Sequence, residues 1–263
     1  MQHLIRSELR YPGLWRGCVG AWAPLLGPSG TTLRDNSVMR YHTTLTNMDP
    51  PTDWIVSGSK YALDFDGSND HCTTTGTFSI ATGVTMAVWV KFTSTNTNCQ
   101  ALGLGNSSDN NPLAWLGIGA TTKRGRWLVR DNASNALDQN TTADINTGDW
   151  VHLVGTLAMP SNLQRLYVNG IQVASGTNTI GTATLNTIGI GAAVRASTGN
   201  YFPGTIDDAR WYDRALTAQE VALLARRRGI AYERAQRRSR KVPAVSGFQA
   251  AWVAQRRAEI IGA

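Results

Sequence analysis

Between residues 62 and 212 the chain is divided into short apolar runs, at 62–65, 85–92, 113–118, 126–130, 150–157, 164–168, 187–190 and 209–212, by clusters of Gly, Asn, Asp and Thr. Runs this short, with side chains alternating between two environments, have the period of a strand and are too brief for a helical stripe. In residues 85–92, Met86, Val88, Val90 and Phe92 share one face while Ala87, Trp89 and Lys91 share the other, so one strand serves two surfaces. Asn169-Gly170 stands between Arg165-Leu166-Tyr167-Val168 and Ile171-Gln172-Val173-Ala174. Both central residues tolerate the positive φ of a type I′ turn, and the stretch predicts a two-residue hairpin. With 26 glycines to turn on and 42% hydrophobic residues to bury, the pattern predicts an all-β fold with strands at the spacing of a sandwich.

Helical signal comes late. Thr217 and Glu220 have capping-box spacing ahead of Val221 and Leu224, basic residues follow, and Gly229 supplies a stop, which together predict a short C-terminal helix over 218–228. Residues 1–16 form an N-terminal extension whose Leu4, Ile5, Leu9, Tyr11, Leu14 and Trp15 are available to dock on a surface. Residues 227–263 form a basic C-terminal extension. The net charge is +7, yet residues 225–263 hold ten Lys and Arg against two Glu, which is +8, leaving −1 for the remainder. Basicity concentrated in one extension points to two jobs in one chain. Arg226, Arg227, Arg228, Arg237, Arg238, Arg240 and Lys241 are the candidate anchors, with Phe248 and Trp252 as apolar ones. A protein lattice or an acidic partner surface suits them. Nucleic-acid phosphate is the lesser alternative, and a solvated charge run is the plain one.

No stretch approaches eighteen consecutive apolar residues, so no membrane-spanning helix is expected. The N-terminus interrupts its apolar residues with Arg6, Glu8 and Arg10 and lacks the unbroken segment of a secretory signal peptide. The expectation is a virion or particle surface, or else the cytoplasm or release without a signal. Cys18, Cys72 and Cys99, odd in number and without C-x-x-C spacing, read as reduced thiols.

Five stretches then stand in a recognisable order: Leu63-Asp64-Phe65-Asp66-Gly67-Ser68-Asn69-Asp70, Met86-Ala87-Val88-Trp89-Val90, Trp150-Val151-His152-Leu153-Val154-Gly155, Leu166-Tyr167-Val168-Asn169-Gly170, and the long run from Phe202 to Leu216 containing Gly204-Thr205-Ile206-Asp207-Asp208. In this order they resemble the laminin-G-like jelly-roll domains of the concanavalin A-like superfamily. The resemblance implies a jelly-roll sandwich of two antiparallel sheets packed face to face over residues 17–226, with a ligand surface on the concave sheet or its edge loops. In many members it also implies a structural calcium, for which Asp66, Asp70, Asp207 and Asp208 offer hard oxygen donors. Turn-capping by the same carboxylates is the alternative reading. The sequence departs from the family pattern where Asp70 is followed by His71-Cys72 and where Asp208 stands in place of the commoner Glu.

Glycanases of this fold work with paired carboxylates, usually glutamates a few residues apart on one strand. Here the four glutamates are Glu8, Glu220, Glu233 and Glu259, none of them within a strand run. Asp64 and Asp66 share a strand face, which reads as a turn or metal pair. The four histidines, His3, His42, His71 and His152, show no zinc-ligand spacing and no serine partner. A non-catalytic module is therefore expected. For glycans, Trp54, Trp115, Trp127 and Tyr201 lie in or beside loops as candidate platforms, although aromatics in a sandwich more often fill the core. Two function classes remain: a particle-surface structural protein held by its termini with the lectin-like sandwich exposed, and a free glycan-binding or adhesion module.

Overall fold

The computed structural model describes residues 9–235. After a 3₁₀ turn at Pro12–Trp15 come β1 (Cys18–Trp22), β2 (Thr32–Leu33), β3 (Thr43–Thr46), a one-turn helix α1 (Pro50–Asp53), β4 (Trp54–Ser57), β5 (Lys60–Asp66), β6 (His71–Phe78) and β7 (Val84–Lys91). The middle of the chain supplies β8 (Gln100–Asn106), β9 (Asp109–Ile118), β10 (Arg124–Arg130), β11 (Ala136–Asp144), β12 (Trp150–Ala158), β13 (Leu163–Val168) and β14 (Ile171–Thr177). It closes with β15 (Leu185–Ile190), β16 (Pro203–Tyr212) and α2 (Ala218–Leu224). The first sheet runs β14-β13-β12-β7-β16-β5-β4, with β1 added on β16. The second runs β11-β10-β9-β8-β15-β6-β3-β2. Neighbours pair antiparallel, and the chain crosses between sheets repeatedly, which makes the sandwich a jelly roll.

The alternation in β7 sets the layering. Met86, Val88 and Val90 point between the sheets, where they join Leu102, Leu104, Leu116, Trp127, Ile188 and Phe202 in one buried cluster. Ala87 points the other way, into a second cluster on the outer face of the first sheet, with Val154, Tyr167 and Tyr212. The expected hairpin is present: Asn169 and Gly170 have φ of 49° and 84°, and Val168 pairs with Ile171. The capping box on α2 is complete in both directions, Thr217 Oγ1 accepting from Glu220 N at 3.3 Å and Glu220 Oε2 accepting from Thr217 N at 2.9 Å.

The packed unit is longer than residues 17–226. Leu9, Leu14 and Trp15 lie in the second cluster beside Leu216, Val221, Leu224, Ile230, Ala231 and Tyr232, so chain from both ends covers the outer face of the first sheet. Arg10 N donates to Glu233 O at 2.7 Å, Trp15 Nε1 to Ala231 O at 3.0 Å, and Tyr212 Oη to Leu14 O at 2.9 Å. The unit ends at Glu233, and a second one, Arg234–Ala263, lies outside the described residues apart from its first two.

The helix also ends earlier than residue 228. Arg228 turns back onto the sandwich: Nη1 reaches Asp207 Oδ2 at 3.1 Å, and the guanidinium lies 4.1 Å from the Trp150 ring centroid. Gly229 then takes the left-handed conformation, φ 76°, and its N–H donates to Asp208 Oδ2 at 2.9 Å. On the second sheet, residues 191–200 fold over the outer face. Gln100 Nε2 donates to Ala192 O at 2.7 Å and Thr187 Oγ1 to Val194 O at 2.5 Å. The roof sits this close because Gly105 and Gly189 face it, where a Cβ would collide with the Val194 and Ala192 carbonyls.

Candidate functional site

Three connections meet at one rim of the sandwich: the turn between β5 and β6, the segment between β7 and β8, and the end of the roof over the second sheet. They enclose a solvent-open cleft of about 470 Å³ lined by Gly67, residues 95–99, Asn200 and Tyr201. Gly67 is required where it stands, since its φ is 75° and a Cβ would strike Pro203. Asn98 and Asn200 both sit in the left-handed region, φ 56° and 58°, a conformation asparagine tolerates better than other side-chain-bearing residues. Backbone bonds fix them: Asn98 N donates to Gly119 O at 2.6 Å, and Asn200 O accepts from Gln100 N at 2.8 Å. Tyr201 forms an aromatic wall, half-buried, with its ring 6.0 Å from that of His71.

Arg126 joins this cleft to a second one of about 300 Å³, lined by residues 120–122, Arg124, Arg126, Asp138 and Asn140. Its guanidinium makes a two-point pair with Asp138 at 2.9 and 2.7 Å, reaches Asn98 Oδ1 at 3.4 Å and lies over the Trp115 ring. Arg195 reaches Asn200 Oδ1 at 3.3 Å. Cys99 lines the cleft as a buried thiol pushed up to about 11 by burial, hence unreactive at neutral pH. None of the three cysteines forms a disulfide.

Of the four aromatic candidates, only Tyr201 reaches the cleft. Trp127 is fully buried between the sheets with Nε1 donating to Thr156 O at 3.2 Å; it fills the hollow above Gly155 and is unavailable to a ligand. Trp54 is buried with Nε1 on Gly30 O at 3.0 Å. Trp115 is on the outer face of the second sheet, as its strand register allows, but Leu113, Leu128 and Ala193 cover it. The cleft's Asn96, Asn98 and Asn200, with Arg126 and Arg195 behind, were not among the sequence candidates. For Asn96 and Asn98 the one signal is the polar stretch Thr93-Ser94-Thr95-Asn96-Thr97-Asn98, which carries no apolar residue to anchor it in a core.

The four carboxylates offered to calcium do not converge. Asp66 is opposite Pro203, and Asp207 lies four residues further along β16, roughly 13 Å at about 3.3 Å per residue. Asp66 Oδ1 accepts from the N–H groups of Ser68, Asn69 and Asp70, and Asp70 Oδ2 from Asp66 N, so this pair closes its own turn. Asp207 and Asp208 are buried, taken by Arg228 and by Arg210 at 2.8 Å. Asp207 also accepts from Leu25 N, and burial together with the charge of Asp208 pushes its carboxyl up to about 7 against the opposing pull of Arg228. Among the described residues no group of three or more His, Cys, Asp and Glu is placed to hold a metal. The donor set expected from the family resemblance therefore does not fit a metal here.

The remaining assignments fall outside the cleft. Glu220 is bound by Arg214 at 2.7 and 2.9 Å and Glu233 by Arg227, so both described glutamates serve the closing segment. Arg228 thus belongs to the sandwich as an ion-pair partner, Arg227 pairs with Glu233 while remaining exposed, and Arg226 is exposed as well. Arg237, Arg238, Arg240, Lys241, Phe248 and Trp252 lie outside the described residues. No helix among the described residues is long and apolar enough to cross a membrane.

A two-sheet antiparallel jelly roll, its second sheet roofed by its own chain and a polar cleft left open at the rim, defines a sandwich of the lectin type. A laminin G family model, described as the concanavalin A-like lectin/glucanases superfamily, matches residues 66–222, and the chain belongs to that superfamily. Among curated proteins no sequence matches significantly. Several solved structures share the fold. The binding domain of Paraclostridial Mosquitocidal Protein 1 is 18% identical, TM-score 0.61, covering 81% of this chain and 52% of the other. The botulinum neurotoxin serotype D ligand binding domain, solved with N-acetylneuraminic acid, is 13% identical, TM-score 0.59, covering 81% and 51%. Domain 4 of AbnA, an extracellular arabinanase from Geobacillus stearothermophilus, solved with arabinotriose, is 21% identical, TM-score 0.55, covering 79% and 98%. The chain spans about half the length of the toxin domains it matches.

Proposed function

We propose that this domain is a non-catalytic glycan-binding module that seats a sugar in the rim cleft. The observation that carries the reading is the lining itself: three asparagines and threonine hydroxyls beside the face of Tyr201, in a pocket large enough for a sugar ring and without an apolar floor. Sugars present hydroxyl groups above apolar C–H faces, and amides with an aromatic wall answer both. Sugar ligands in two proteins of the same fold, arabinotriose and N-acetylneuraminic acid, support it as analogy. Both described glutamates are engaged elsewhere, which favours binding over hydrolysis.

A glycan array with the wild type and with Tyr201→Ala and Asn98→Ala variants tests the proposal. Retention of at least one glycan, weakened about tenfold or more in both variants at unchanged melting temperature, supports it. An empty array, or variants that bind as the wild type does, would overturn it.

The particle-surface reading attaches to the other end of the chain. Residues 234–263 hold six Arg and one Lys against one Glu. They follow a sandwich whose two ends meet where Arg10 pairs with Glu233. We propose that this extension attaches the module to an acidic protein surface, such as a virion or particle lattice, and leaves the cleft exposed.

A further inference from the structure

The cleft has an unusual balance of donors and acceptors. Arginine can only donate, so the bonds from Arg126 to Asn98 Oδ1 and from Arg195 to Asn200 Oδ1 fix the orientation of both amides. Each Nδ2 is turned away from its arginine and has no protein partner among the described residues. The Tyr201 hydroxyl and the Asn96 amide are likewise uncommitted, and no carboxylate lines the cleft.

Positive charge stands behind this wall without full compensation. Arg126 is matched by Asp138. Arg195 donates only to Asn110 O, at 3.1 Å, and to Asn200, while its Nε is buried without a partner. Arg130, on the same face of β10 as Arg126, donates to the carbonyls of Asn110 and Asn111, both at 2.5 Å. Burial and then the charge of Arg130 hold the Arg195 guanidinium below its usual range; burial and then Arg126 do the same to Arg130, with Asp109 in part opposing. Carbonyls satisfy the hydrogen bonds of a guanidinium but do not neutralise it, so Arg195 leaves a positive field behind Asn200.

We infer that the cleft selects sugars bearing a carboxylate, which Asn98 Nδ2 and Asn200 Nδ2 receive directly while Arg126 and Arg195 orient those amides and Arg195 supplies the charge. A carboxylate accepts through both oxygens and donates nothing, which matches a wall of aligned donors. A neutral sugar hydroxyl can accept from the same amides but gains little from the positive charge. This rests on the glycan-binding reading and narrows it to one ligand class; Asn98 and Asn200 are binding residues, Arg126 and Arg195 positioning residues.

The test is calorimetric titration of the full chain with a glucuronate-containing oligosaccharide, its carboxyl-reduced counterpart, a sulfated but carboxyl-free counterpart and a short single-stranded oligonucleotide. The expected result is preference for the acidic sugar over the reduced one by about tenfold or more, with raised salt narrowing the gap. Arg195→Gln should weaken the acidic sugar about tenfold and the reduced one by clearly less, while Asn200→Asp should weaken both and the acidic one by the larger factor, at unchanged melting temperature. Asn200→Asp keeps the left-handed backbone accessible while putting a carboxylate where one should bind. Equal affinity for acidic and reduced sugars, with the Tyr201→Ala variant still defective, would overturn the selectivity and leave the glycan site standing. Binding of no sugar would remove both. Acidic-sugar affinity that survives both substitutions belongs to the basic extension and overturns the proposal, as would tighter binding of the sulfated sugar or the oligonucleotide.

Discussion

Two buried titrating groups give the sandwich a pH response that can be assigned residue by residue. Asp207 is held near 7, so the native state keeps its proton over a range where the unfolded chain has lost it. Its contribution to stability is therefore complete below pH 4 and falls as pH rises towards 7. His152, fully buried against the Trp89 ring, is driven down to about 4 by burial, with Arg210 adding to the effect and Asp208 opposing it. Here the unfolded chain binds the extra proton, and stability is lost as pH falls from about 6.5 to 4. The two limbs oppose each other across the same window, bounded at about 4 kcal/mol for Asp207 and about 3 kcal/mol for His152 by roughly 1.4 kcal/mol per pKa unit. Melting temperature measured from pH 4 to 7 should accordingly vary little in the wild type, while Asp207→Asn leaves the histidine limb alone and makes stability rise with pH. A variant whose profile overlays the wild type would contradict the assignment. Trp127 is the second residue-scale case. Trp127→Ala should cost about 3–5 kcal/mol, because nothing can collapse into the space above Gly155, and Trp127→Phe should leave sugar affinity unchanged. Chemical denaturation together with titration separates those two effects.

At the scale of elements, the segment after α2 behaves as part of the fold. Arg228, Ile230 and Tyr232 fasten it through Asp207, the second apolar cluster and the Trp15 ring, which stands 5.2 Å edge-on from Tyr232. Truncation after residue 226 should lower the melting temperature sharply, whereas truncation after residue 235 should leave it within a few degrees of the full chain. Equal melting of the two would show that these contacts carry no stability. The Thr217→Ala variant should lose about 1 kcal/mol by removing one half of the capping box. That box, the Asn169-Gly170 hairpin and the two faces of β7 were legible in sequence because each is a local device whose residues are within four or five positions of one another. The latch on Asp207 and Asp208 was not. Arg228 comes back to Asp207 from a segment beyond α2, and Asp208 sits at a β-bulge in β16, φ 43°, that no alternation announces. The rim cleft was hidden for the same reason, since Gly67, Asn98 and Asn200 come from three connections and no periodicity reports that these meet. Trp127 was read as lying in or beside a loop, but it stands in the middle of β10, whose alternation assigns it to the inner face.

For the molecule as a whole, one sheet is covered by the chain's own ends and the other is roofed by residues 191–200, so the open rim is where a ligand finds donors. Because the four aspartates are committed to backbone amides and arginines, the melting curve should be the same in chelator and in millimolar calcium; a rise with calcium would reveal a donor set other than this one. Attachment through the basic extension should weaken as salt rises, since the Debye length shrinks from about 8 Å at physiological ionic strength to about 3 Å at 1 M. Co-sedimentation with particles from the native source, with and without residues 236–263, measures that contribution. The account depends above all on where a sugar sits. A crystal structure of the domain soaked with the tightest glycan from an array decides it: density between Asn98 and Asn200, with a sugar face against Tyr201, is the predicted result, and a glycan lodged elsewhere with this cleft holding only water would contradict it.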